Sequence, residues 1–122
     1  MGLLRLGSVS IDCSDPHQMA SFYSKLLQVE VAYDVDNFAA LKLENLWLSF
    51  QKVVDYRPPT WPSSLVPQQL HLDFAVEDLV TAERVALEAG ATKMNVQPSP
   101  ERWLVFSDPS GHPFCLSTLL PD

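Results

Sequence analysis

Polar and apolar residues alternate one by one near the start of the chain, which is the pattern of a strand with one buried face. The polar positions are Ser8, Ser10 and Asp12, and the apolar positions between and after them are Val9, Ile11 and Cys13. The sequence therefore predicts a first strand over residues 8–13.

The period then changes to that of an amphipathic helix. Asp15 is placed to cap this helix, Pro16 takes its first position, and Gln18 is spaced as a capping-box partner. The apolar stripe consists of Met19, Phe22, Tyr23, Leu26 and Leu27. Three extended runs follow at residues 29–33, 38–43 and 46–53, with turn-forming residues between them. The first half thus predicts the order βαβββ.

The same order recurs in the second half of the chain. His71, Asp73 and Ala75 alternate with apolar residues, Asp78 begins a second helix, and Gly90 ends it. Three more strands are predicted at residues 92–96, 103–107 and 113–119. His71 and Ser8 are 63 positions apart, as are Asp78 and Asp15. Two tandem βαβββ units explain this repeat.

A proline-rich segment over residues 55–69 separates the two halves. Proline cannot join a central strand, so this segment is predicted to be a linker between unit 1, about residues 4–54, and unit 2, about residues 70–120. A chain of 122 residues suits a single domain. We therefore predict one α+β domain over residues 1–122, in which each helix packs on one sheet face and leaves the other face for chemistry.

The charge composition of the chain argues against nucleic acids and anionic membranes as binding partners. Eight Lys and Arg against 15 Asp and Glu leave a net charge of −7, with no basic cluster to bind nucleic acid or an anionic membrane. The first ten residues do not resemble a signal peptide or a spanning helix, which favours a cytoplasmic location. Cys13 and Cys115 form no metal or redox motif, and both are expected to be buried and without a disulfide.

Several motifs, in order, resemble the vicinal oxygen chelate superfamily, which includes glyoxalase I, bleomycin-resistance proteins and extradiol dioxygenases. The closest resemblance is to short bacterial glyoxalase-like domains. The motifs that carry it are Ser14-Asp15-Pro16, His71-Leu72-Asp73-Phe74, Ala89-Gly90-Ala91, Arg102-Trp103, Asp108-Pro109-Ser110-Gly111 and Phe114-Cys115-Leu116. This resemblance implies a cup of curled mixed sheets, a small organic ligand and a homodimer.

In the enzymes of this superfamily, a divalent metal is held by His or Glu on the first strand of each unit and on the last strands. Of these positions, His71 is present, whereas Ser8 replaces the first histidine and Cys115 replaces the final glutamate. Ser49 and Gln51 are both candidates for the remaining position. Serine and glutamine are poor ligands for transition metals, so no cofactor is expected. The alternative is a rebuilt metal site at His71, with Cys115 and a carboxylate.

Candidate site residues follow from the sheet face that the helices leave free. His71 and Asp73 are expected to carry any catalysis, because an imidazole beside a carboxylate can move protons near neutral pH. The alternative is a structural hydrogen bond between them, or pairing of the aspartates with Arg5 or Arg57. The expected ligand-binding residues are Ser8, Ser10, Asp12, Gln51, Trp61, Trp103 and Cys115.

Two functions from different classes are consistent with the sequence. The first is a small-molecule binding protein without the usual metal site, in which aromatic residues stack on a flat ligand. The second is a metal-dependent lyase, isomerase or dioxygenase built around His71. The missing histidine at Ser8 and the missing glutamate at Cys115 favour the binding protein. An interaction module without a ligand is a third alternative.

Overall fold

Two consecutive sets of one strand, one helix and three further strands form the structure, a computed structural model that describes residues 2–121. The first set comprises β1 (Ser8–Cys13), α1 (Pro16–Leu27), β2 (Val31–Val35), β3 (Phe38–Lys42) and β4 (Trp47–Lys52). The second comprises β5 (Leu72–Ala75), α2 (Leu79–Ala89), β6 (Thr92–Lys93), β7 (Trp103–Ser107) and β8 (Pro113–Ser117). The predicted α+β fold of two tandem βαβββ units is confirmed.

Each unit contains its own four-stranded mixed sheet, and the strand order is the same in both. In the first unit the order is β1-β4-β3-β2, and in the second it is β5-β8-β7-β6. The first and last strands of each unit pair in parallel, and the other pairs are antiparallel. The boundary between two compact units falls between Tyr56 and Arg57.

The helix termini follow the predicted capping pattern. The Asp15 carboxylate accepts a hydrogen bond of 3.1 Å from the Gln18 backbone N–H, and Pro16 occupies the first turn of α1. Asp78 caps α2 in the same way, through the backbone N–H of Thr81. Gly90 ends α2 in a left-handed conformation with φ of 109°, which glycine adopts without steric cost.

Two predicted strands differ from the observed ones. β2 begins at Val31 rather than at residue 29, because Gln28 adopts a left-handed conformation and the Val29 N–H bonds back to the Ser24 carbonyl. These residues complete the end of α1 and are not available for a sheet. The strand predicted over residues 92–96 ends at Lys93.

The Gln97 side chain explains the early end of β6. Its amide donates to the Met94 and Val105 carbonyls and accepts from the Val105 N–H, each at 2.8 Å. The Met94 N–H still donates to the Val105 carbonyl at 3.1 Å, but the Gln97 amide is inserted between the Val105 N–H and the Met94 carbonyl, which would otherwise pair. The remaining predicted strand limits agree with the structure to within two residues.

Aromatic side chains dominate the core of each unit. In the first unit, the rings of Tyr23 on α1 and Phe50 on β4 stack with centroids 5.4 Å apart. In the second, Phe106 on β7 stacks on Phe114 of β8 with centroids 5.8 Å apart. Both cysteines are buried, as predicted, and neither forms a disulfide within the part of the chain that the structure describes. Between residues 2 and 121, neither helix has the length and apolar character needed to cross a membrane.

Candidate functional site

One face of the second unit's sheet borders a cavity of about 380 Å³. Successive side chains of a strand point to opposite faces. The residues buried in the core are Leu104, Phe106, Phe114 and Leu116. The residues between and beside them line the cavity, and they are Asp73, Trp103, Val105, Pro113, Cys115 and Ser117. The alternation along β5, β7 and β8 therefore separates a face packed in the core from a face that borders the cavity.

The proline-rich segment supplies part of the cavity wall, through Trp61 and Gln68. Thr60 closes the loop that carries Trp61, because its N–H donates to the Val66 carbonyl at 2.8 Å and its hydroxyl accepts from the Val66 N–H at 3.0 Å. The Trp61–Pro62 peptide bond is cis. The Thr60–Val66 bonds thus close the loop that brings Trp61 to the cavity, although Trp61 lies outside any strand.

A glycine allows the same segment to approach the turn before β8. Gly111 has φ of 85°, and a Cβ atom there would lie 2.9 Å from the Cβ atom of Pro58. Asp108 shapes this turn, since its carboxylate accepts from the N–H groups of Ser110 and His112. The positive φ and the short distance to Pro58 both require glycine at this position. Glycine therefore allows the turn and the proline-rich segment to pack closely.

His71, Asp73 and Cys115 form a cluster on the cavity wall. One donor atom from each lies within 4.8 Å of the others. Asp73 and Cys115 are paired residues of the parallel strands β5 and β8, and His71 precedes β5. The Nε2 atom of His71 is 3.4 Å from Oδ1 of Asp73, and the two side chains are 42% and 44% exposed. The cluster can therefore meet a ligand in the cavity.

The environment of Cys115 suppresses its ionisation. Burial raises the pKa of the thiol to about 11, and the negative charge of Asp73 and a hydrogen bond to Asp73 act in the same direction. The thiol is consequently protonated at neutral pH and is a weak nucleophile. This agrees with the expectation that Cys115 is buried and unreactive.

Gln68 is a cavity residue that the sequence reasoning missed. Its Oε1 atom is buried, and no donor among residues 2–121 reaches it. A buried acceptor without a donor costs about 1–3 kcal/mol. Val105 was also missed, although its alternation with Trp103 along β7 was a usable signal. Pro98, Leu119 and Leu120 complete the wall from segments without a periodic pattern.

The four remaining candidates lie in the first unit, on the neighbouring strands β1 and β4. Register places Ser10 opposite Ser49 and Asp12 opposite Gln51. In the second unit Asp73 lies opposite Cys115, so Ser49, rather than Gln51, is the counterpart of Cys115. The Ser8 and Ser49 hydroxyl oxygens are 3.2 Å apart. Where the second unit has imidazole, carboxylate and thiol, the first unit has only three serines.

The donor set of the second unit fits a divalent cation in chemical type. Imidazole nitrogen, carboxylate oxygen and thiolate sulfur are all zinc ligands, with bonds of about 2.0–2.3 Å. The three donor atoms lie within 4.8 Å of one another. They would have to move closer together to bind one ion at those bond lengths. The set lacks the second histidine and the glutamate that the superfamily resemblance implied. Because sulfur is a soft ligand, the set favours zinc or cobalt over manganese or magnesium.

Comparison with known proteins finds a partial match to a much longer protein. An F420-dependent glucose-6-phosphate dehydrogenase from Rhodococcus erythropolis is 29% identical over 85 residues, which are 70% of this chain. The match spans only 19% of the length of that relative.

Two solved structures share the fold over nearly the whole chain. The first is a mutant of the fosfomycin resistance protein FosX from Listeria monocytogenes, in complex with Mn(II) and 1S,2S-dihydroxypropylphosphonic acid. It has a TM-score of 0.70 and 15% identity, covering 97% of this chain and 91% of that one. The second is TnmS3, an antibiotic binding protein from Streptomyces sp. CB03234, with a TM-score of 0.63 and 20% identity, covering 96% and 97%.

A family model identifies the family of this chain, whereas the solved structures show only its fold. The model of the glyoxalase-like domain matches residues 8–117, from the first residue of β1 to the last residue of β8. The two tandem βαβββ units and the strand order agree with that match. The chain therefore belongs to the glyoxalase-like domain family, within the vicinal oxygen chelate superfamily.

Proposed function

We propose that this protein binds a small, flat organic molecule in the cavity of its second unit, without the usual metal site of the superfamily. The observation that carries the proposal is a cavity of about 380 Å³ in which two partly exposed indoles, Trp61 and Trp103, accompany the cluster of His71, Asp73 and Cys115. This volume lies in the range of known ligand sites, which combine apolar walls with a few polar groups.

The chemistry of the wall supports binding more directly than catalysis. Aromatic rings offer large flat surfaces for stacking, and Asp73 and His71 provide polar contacts that orient a ligand. The Cys115 thiol is protonated at neutral pH and is thus not a ready nucleophile. The similarity to the antibiotic binding protein TnmS3 is consistent with this use of the fold. The proposal keeps the expectations of a homodimer and a cytoplasmic location.

A panel of flat aromatic compounds tests the proposal through tryptophan fluorescence and through NMR shifts of backbone amides. We expect at least one compound to quench the fluorescence with saturation and to shift the amides of Trp103 and Cys115. Analogues with saturated rings serve as controls, because they retain the bulk but cannot stack. A panel without any saturable change would refute the proposal.

The second candidate is a metal-dependent lyase, isomerase or dioxygenase, and the observation that favours it is the donor cluster on β5 and β8. His71, Asp73 and Cys115 would hold the metal. A bound divalent metal acts as a Lewis acid that polarises a substrate oxygen. In this reading Trp61 and Trp103 orient the substrate, and the apolar wall excludes water.

Cobalt(II) distinguishes the second candidate from the first. If the cluster binds metal, added cobalt(II) produces a sulfur-to-cobalt charge-transfer band in the near ultraviolet, because Cys115 supplies a thiolate ligand. We expect Cys115→Ala to abolish this band and Cys13→Ala, which changes the other buried cysteine, to keep it. Stoichiometric metal should also disappear in His71→Ala. A protein that retains no cobalt after desalting would exclude the second candidate.

A further inference from the structure

We propose that the cavity of the second unit selects flat aromatic molecules that carry a protonated amine and discriminates against anionic ones. This inference rests on the proposed function, because it specifies the ligand class of the same cavity. Four features of the wall support it: the Asp73 carboxylate, two aromatic faces, an acceptor without a donor, and the lack of a lysine or arginine among the described lining residues.

Asp73 is the carboxylate of the cavity wall, and Nε2 of His71, which is a cation only when protonated, lies 3.4 Å from its Oδ1. Asp73 contributes a carboxylate that is 44% exposed, at the edge of the cavity rather than buried beneath it. Among the described residues that line the cavity, there is no lysine or arginine. The net charge of −7 over the whole chain adds a long-range attraction for cations. A ligand ammonium group therefore gains a partner at Asp73.

The two indoles favour the same class of ligand. Tryptophan has the most electron-rich face of the aromatic side chains and attracts cations that lie over it. Trp61 and Trp103 belong to the same cavity as Asp73. A ring bearing an amine can thus stack on one indole while its charged group lies near the carboxylate.

The acceptor without a donor is Oε1 of Gln68. It is buried in the cavity wall, and no described residue donates to it. A primary ammonium group carries three N–H donors. One of them can bind the Asp73 carboxylate while another remains available for a second acceptor. A ligand donor that draws the Gln68 amide toward the cavity would satisfy this oxygen as well.

The same features of the cavity disfavour anionic ligands. A carboxylate or phosphonate in the cavity would face Asp73 without a lining lysine or arginine to neutralise it. The ligand in the FosX complex is a phosphonic acid, and it is accompanied by Mn(II). This cavity, in contrast, has the charge that suits a cation.

Three naphthalene derivatives with the same ring test the inference by calorimetric titration at neutral pH and physiological ionic strength. They are 1-naphthylmethylamine, 1-naphthalenemethanol and 1-naphthoate, which carry a cation, a neutral donor and an anion. We expect the amine to bind about tenfold more tightly than the alcohol, since a cation gains both the ionic and the cation–π attraction. The carboxylate should bind more weakly than the alcohol.

Variants assign the selectivity to named side chains. Asp73→Asn is expected to reduce the amine-to-alcohol affinity ratio to about twofold, because it removes the charge and keeps the shape. Glu77→Gln removes one negative charge from an exposed residue outside the cavity wall, and it should leave the ratio near that of the parent. Gln68→Met should lower the ratio, whereas Gln69→Met, at an exposed neighbouring glutamine, should not.

The possible results separate the inference from the function on which it rests. Equal affinities for the three compounds, or tighter binding of 1-naphthoate, would overturn the selectivity while leaving the binding function intact. An unchanged ratio in both Asp73→Asn and Gln68→Met would also overturn it. No binding of any of the three compounds would contradict the binding function, and the selectivity would fall with it.

Discussion

Replacing Trp103 with alanine is expected to weaken the binding of 1-naphthylmethylamine by about tenfold to a hundredfold, because stacking on an aromatic side chain contributes about 1–3 kcal/mol. Trp103 lies on β7 with its side chain on the cavity face, opposite in direction to the buried Leu104 and Phe106. The variant therefore removes one wall of the cavity while leaving the core side chains of the strand in place. Calorimetric titration of the parent and the variant measures the loss.

Two further variants show whether the loss reflects the ring itself. Trp103→Phe retains an aromatic face, so it should recover most of the affinity that Trp103→Ala loses. Trp47→Ala removes a tryptophan that lies on β4 of the first unit and is 36% exposed, and it should leave the affinity unchanged. Equal affinity in Trp103→Ala and the parent would show that the ligand does not use this cavity.

Replacing Phe106 with alanine is expected to lower the free energy of unfolding by about 3–5 kcal/mol. Phe106 is fully buried and stacks on Phe114, which in turn has an edge contact with Phe74 at 5.9 Å. The substitution leaves a void beside Phe114, in an aromatic cluster that joins β5, β7 and β8. Chemical denaturation followed by circular dichroism measures the change.

The control for Phe106→Ala is Val80→Ala on α2. Val80 is 80% exposed, so its truncation should change stability by less than about 0.5 kcal/mol. Because β5, β7 and β8 carry the cavity face as well as the core face, Phe106→Ala should also weaken ligand binding. A loss of stability below about 1 kcal/mol would mean that the aromatic cluster is not the main stabilising element of the second unit.

The two units share a topology but differ in chemistry. The strand pairing that brings Asp73 opposite Cys115 brings Ser10 opposite Ser49 in the first unit. Hydroxyl groups of serine can donate and accept hydrogen bonds, but they neither titrate near neutral pH nor bind transition metals well. At these equivalent strand positions, the ionisable groups therefore belong to the second unit.

Much of the fold was predictable from local patterns. Capping by Asp15 and Asp78, the glycine end of α2 and the period-two strands each depend on residues close in sequence, where propensity and hydrophobic alternation act directly. The predictions failed where a non-local or side-chain interaction intervened. The Gln97 amide is inserted between the Met94 carbonyl and the Val105 N–H at the end of β6, and no local pattern indicates this.

The alternation of side chains along a strand was enough to assign His71 and Asp73 to one face of their strand and Cys115 to the matching face of the last strand. The approach of one donor atom from each to within 4.8 Å of the others could not be read from that alternation, because strand order and register depend on pairing between distant residues. The same holds for Ser49 as the counterpart of Cys115. Trp61 and Gln68 reach the cavity through a proline-rich segment without periodicity, so their positions depend on packing alone.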